Sequence, residues 1–146
     1  MKIFKVLLFL SLGINIYAND AKVLFDNKCS MCHQTSRPAD MSSVVAPAIM
    51  GVMRHVKMSY PSKDNAVNFI VDYVLNPTKE KSICMPQKIA RFGLMPSQKG
   101  SVTEEELREI ASWLFDNYPP KGFRGGGMGM GQRGHGRMMG KQGSMN

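Results

Sequence analysis

Cys29-Ser30-Met31-Cys32-His33 is the stretch of this chain best equipped for chemistry. If the run is helical, positions i, i+3 and i+4 share a face, so Cys29, Cys32 and His33 point the same way. Two thiols at that separation reach the two vinyl groups of a haem and form thioethers, and the adjacent imidazole binds the iron from the same side. Cys-x-x-Cys also serves other chemistries. A thioredoxin-like redox pair needs a β-α-β setting, which this chain lacks. A structural zinc site needs four ligands, and Cys84 with a distant histidine is a poor second half. A plain disulfide between Cys29 and Cys32 is strained across a helix turn. Haem attachment is the favoured chemistry of the three side chains.

Three amphipathic patterns supply the elements that must position them. Asn19 or Asp20 caps a short helix whose apolar face uses Val23, Leu24 and Phe25 and runs into Cys29. A second helix follows Ser62 or Asp64, carries Val67, Ile70, Val71 and Val74 at helical spacing, and stops before Pro77. In the third, Thr103 and Glu106 form a capping box, and Leu107, Ile110, Ala111 and Leu114 mark one face until Pro119. Residues 36–47, 76–80 and 93–100 are rich in turn formers, and no alternating strand pattern appears. The expectation is a small all-α domain with long loops.

The chain's 146 residues suit one ordinary domain, and its 43% hydrophobic content is too high for a wholly disordered chain. Residues 1–18 have the form of a secretory signal: Lys2 and Lys5, an apolar stretch from Val6 to about Ile14, then Ala18 as a small residue before cleavage. The apolar stretch falls short of the roughly 20 residues of a span, which fits a signal rather than a transmembrane helix, and an uncleaved amphipathic helix or short anchor is the plainer alternative. Residues 19–120 form the folded candidate. Residues 121–146 contain ten glycines and five methionines and are expected to be disordered, since they cannot bury enough apolar surface to offset backbone entropy.

The formal charge of +8 divides unevenly: +2 in residues 1–18, +1 in residues 19–120 and +5 in residues 121–146. A nucleic-acid-binding role therefore loses its main support, because the folded candidate is almost neutral. The basic tail suits weak attraction to anionic lipid or to an acidic partner. Met128, Met130, His135, Met138 and Met139 in it are also soft donors for Cu(I), against the plainer reading of a tail without ligands.

Residues 20–118 resemble a single-haem class I c-type cytochrome. The resemblance rests on Leu24 and Phe25 leading into the Cys29–His33 motif, on Pro47, and on Met95-Pro96 ahead of a final amphipathic helix with Trp113. It implies a cytochrome c-like fold wrapped around one covalently attached haem c, with the first and last helices crossing. It further implies His33 as the proximal iron ligand, Met95 as the distal one, and a Pro47 carbonyl supporting the His33 ring, although Ala46-Pro47 departs from the common Gly-Pro. The implied function is electron transport rather than catalysis. An exported, periplasmic carrier would pass single electrons between transient respiratory-chain partners.

Met95 is favoured as distal ligand because Gly93 and Pro96 place it on a loop before the last helix. Met85 has the same Met-Pro form and is the fallback, with His55 or an open site also considered. The remaining methionines of the domain read as packing around an apolar cofactor. Cys84 is an odd thiol, either buried or exposed and able to form a dimer, and its thiolate is also considered as an iron ligand that would strongly lower the potential. Trp113 reads as a packing residue. Arg37, Lys79, Lys81, Lys88, Arg91 and Lys99 either surround an exposed haem edge or form ordinary solvated surface. Two other functional classes remain: a five-coordinate haem enzyme or gas sensor, and a soft-metal protein acting through its tail.

Overall fold

The computed structural model describes residues 20–36 and 38–123. The signal sequence expected at residues 1–18, Arg37, and residues 124–146 of the tail lie outside the described residues. The rest is helical: α1 (20–28), α2 (Ile49–Ser59), α3 (Lys63–Leu75), α4 (Pro86–Phe92) and α5 (Glu104–Asn117). Among the described residues there is no strand, only an isolated bridge between Lys99 and Val102. The all-α expectation therefore holds. No described helix is long and apolar enough to cross a membrane.

α5 begins as its sequence requires. The Glu106 N–H donates to Thr103 Oγ1 at 3.1 Å, and the Thr103 N–H donates to Glu106 Oε2 at 2.8 Å, which closes the capping box. Glu104, Glu105 and Glu106 in the first turn also favour the positive end of the helix dipole. The four residues expected on its inner face, Leu107, Ile110, Ala111 and Leu114, are all buried. Thr103→Ala is expected to cost about 1 kcal/mol of stability, the usual effect of losing an N-cap hydroxyl. Denaturant unfolding checks this, with Thr103→Ser expected to restore the wild-type midpoint.

α3 starts at the expected cap, Ser62, whose hydroxyl accepts from the Asn65 N–H, and it ends ahead of Pro77. Its buried residues are Ala66 and Val71. α3 packs along α5, and α2 also rests on α5. α1 joins them through Phe25, fully buried, whose ring centroid lies 5.6 Å from that of Trp113. Trp113 is thus a packing residue, as its position suggests. The core is drawn from α1, α2, α3 and α5, with Phe25, Met53, Val56, Leu107 and Ile110 its largest fully buried side chains.

Three details differ from expectation. Val23, placed on the apolar face of α1, is 48% exposed, and Ala21 is buried in its stead. Ala21 and Phe25 are four residues apart and share a face that Val23 does not. α2 and α4 were not anticipated, because neither has a side-chain N-cap: Ala48 and Met85 hold those positions. Ile49, Met53 and Val56 do carry a helical spacing, and Pro86 at the first position of α4 with Gly93 just past its end is the familiar Pro-start, Gly-stop pattern.

Candidate functional site

The helices leave space between them. A cavity of about 270 Å³ opens among α1, α2, α3, α4, α5 and the loops at 45–47, 82–84 and 93–98. One water needs roughly 10–15 Å³ of such space, so this is room for a large ligand rather than a packing defect. Its walls are mostly apolar, with Phe25, Val52, Met53, Phe69, Ile89 and Leu107 among them. Among the described residues no polar or charged residue is fully buried.

Cys29, Cys32 and His33 all line this cavity. They sit where α1 ends: the Cys29 and Ser30 N–H groups both donate to the Phe25 carbonyl, and the His33 N–H donates to the Cys29 carbonyl at 2.9 Å. The motif therefore forms a turn that continues the helix, and it brings the three side chains to one wall. His33 Nδ1 lies 2.9 Å from the Pro47 carbonyl oxygen. A carbonyl only accepts, so Nδ1 carries the proton and Nε2 is left as the basic nitrogen. A neighbouring backbone bond, from the Ile49 N–H to the Gln34 carbonyl at 3.0 Å, fixes the Pro47 segment against the motif.

Burial pushes the Cys29 thiol up to about 11, with the neighbouring Cys32 adding to the rise and Lys28 opposing it. A neutral thiol is a poor metal ligand and a poor partner in thiol exchange. Among the described residues no three His, Cys, Asp or Glu side chains gather at a metal-binding distance, so a zinc site has no second half there. The β-α-β setting of a thioredoxin-like pair is likewise missing from them.

Met95 lines the cavity, but Met85 does not: it is 46% exposed at the N-cap of α4. His55 is also outside the lining, whereas Met53 is within it and fully buried. Cys84 is half-buried and lines the cavity too. Of the described basic residues considered for an exposed edge, Lys88 lines the cavity and Lys79, Lys81, Arg91 and Lys99 do not; Lys28, which was not among them, lines it too.

The loop that carries Met95 departs from α4 at Gly93, with φ 75° and ψ −176°. Backbone at positive φ with ψ near 180° is essentially confined to glycine. A Cβ there would meet nothing within 4 Å, so the cost of adding one is conformational. Gly93→Ala is expected to lower stability by about 1–3 kcal/mol, seen as a lower denaturant midpoint at unchanged slope.

A protein of Aquifex aeolicus (strain VF5), described only as an uncharacterized protein, is 32% identical over 133 residues, covering 78% of this chain and 88% of its own length. The chain belongs to the same family. Coverage of that extent takes in most of residues 19–120, so the similarity to the Aquifex relative includes the helical region as well as any shared ends. No family model matches the chain, and no solved structure does.

Proposed function

We propose that this chain is an exported single-haem c-type cytochrome that carries electrons, one at a time, between respiratory-chain proteins. The observation that carries the proposal is the meeting of Cys29, Cys32 and His33 on one wall of a large apolar cavity, with His33 Nδ1 held by the Pro47 carbonyl. A haem bound there would supply a one-electron Fe(III)/Fe(II) couple.

The protein's own residues suit that cofactor. Cys29 and Cys32 offer two thiols for covalent attachment. The Pro47 carbonyl fixes the ring orientation and the tautomer of His33. Met95 offers a neutral, soft sulfur that favours Fe(II) and so raises the potential. Lys28 and Lys88 give the lining two cations to balance carboxylates of a cofactor. Apolar walls limit water access, which also tunes the potential.

Expression in a periplasm equipped for cytochrome c maturation tests the proposal. The purified chain is expected to be heavier by one haem, which survives extraction into acidified organic solvent. Its ferrous form is expected to be six-coordinate, low-spin and indifferent to carbon monoxide. A product without covalent haem would overturn the proposal. Rapid carbon monoxide binding would replace the carrier with a five-coordinate sensor or enzyme. The copper-binding alternative rests on residues 128–139, outside the described residues.

A further inference from the structure

The end of α3 is completed by the loop that carries Met95. A helix leaves its last carbonyls without internal partners. Here the Asn76 N–H takes up the Asp72 carbonyl, and the next residue, Pro77, has no N–H to offer. The Val74 and Leu75 carbonyls instead accept from across the fold. The Gln98 N–H donates to Val74 at 3.1 Å, and the Ser97 hydroxyl donates to Leu75 at 2.6 Å.

Ser97 and Gln98 stand two and three residues after Met95, and their bonds tie the loop together as well. Gln98 Nε2 donates to the Pro96 carbonyl at 3.0 Å, and the Lys99 N–H donates to Ser97 Oγ at 3.3 Å. Farther on, Lys28 Nζ donates to the Ser101 carbonyl at 2.8 Å, which links the loop to the residue preceding Cys29. The far side of Met95 is set by the positive-φ turn at Gly93. The sulfur is thus carried on a short span anchored at both ends, one of them seated on a helix terminus whose carbonyls need donors.

We propose that Ser97 and Gln98 are positioning residues for Met95, holding its sulfur toward the cavity by clamping the loop to the C-terminal carbonyls of α3. This rests on the cytochrome reading above, in which Met95 is the distal ligand. An external ligand must displace the sulfur and let the loop retreat, so a stronger clamp makes external ligands bind more weakly.

The test is imidazole binding to the ferric holoprotein, followed optically, in wild type, Ser97→Ala, Ser97→Thr, Gln98→Ala and Met95→Ala. Ser97→Ala is expected to raise imidazole affinity about two- to tenfold, the range of one net hydrogen bond. The Leu75 carbonyl can be rehydrated because Ser97 is exposed, which keeps the effect within that range. Ser97→Thr retains the hydroxyl and is expected to return the affinity to the wild-type value. Gln98→Ala keeps the backbone N–H that donates to Val74 and loses only the Nε2 brace to the Pro96 carbonyl, so it is expected to raise imidazole affinity by less than Ser97→Ala, and it still reports on the hold of the loop if Ser97→Ala does not fold. A purely structural role would lower the melting temperature of both alanine variants without changing imidazole affinity, and that result overturns the clamp. If instead Met95→Ala binds imidazole no better than wild type, the distal assignment itself fails, independently of the clamp.

Discussion

If haem is attached as proposed, replacing both Cys29 and Cys32 with alanine is expected to yield a chain that loses the haem to acidified organic solvent and, once haem-free, no longer unfolds cooperatively. The size of the effect follows from the cavity. Engineered cavities cost about 24 cal/mol per Å³. At 270 Å³ an empty, enclosed space of this kind would cost at most about 6.5 kcal/mol. A small domain has only about 5–15 kcal/mol in total. The site is partly open to solvent, so the true cost lies below that ceiling. Circular dichroism through a thermal ramp checks the outcome. A haem-free double variant that melts as sharply and as late as the wild type would mean that the helices are self-sufficient and the cavity needs no contents.

Met95→Ala is expected to abolish the weak absorption band near the red edge that reports sulfur on ferric iron. It should also open the ferrous protein to carbon monoxide. The reduction potential should fall by about 0.1 V or more, within the roughly 0.8 V range over which axial ligands set haem potentials. Met85→Ala is expected to change none of these, because that side chain stands half-exposed outside the cavity. Persistence of the band in Met95→Ala would transfer the assignment to Met53, the other methionine on the lining.

Much of this arrangement was legible in the sequence, and the reason is local. The capping box at Thr103, the stop before Pro77 and the i, i+3, i+4 grouping of Cys29, Cys32 and His33 are all decided by residues within a turn of one another. So is the burial of Leu107, Ile110, Ala111 and Leu114. The Pro47 carbonyl was expected only through the resemblance, and its 2.9 Å approach to His33 Nδ1 depends on chain fourteen residues away. α2 and α4 escaped because their starts lack a side-chain cap. In α4 the apolar residues are also too few to declare a face, since no residue of that helix is buried. The Ser97–Leu75 bond was not readable, because it depends on how separate segments meet rather than on any local pattern.

α4 has an unusual source of order. Seven residues are too few for a helix to persist alone in water. Lys88, Ile89 and Phe92 line the cavity and are partly buried, and none of the helix's residues is fully buried. Its apolar side chains therefore rest on the cavity rather than on another helix, while α3 and α5 support each other directly. If a haem fills the cavity as proposed, amide exchange in α4 should slow only then, after α5 is already protected.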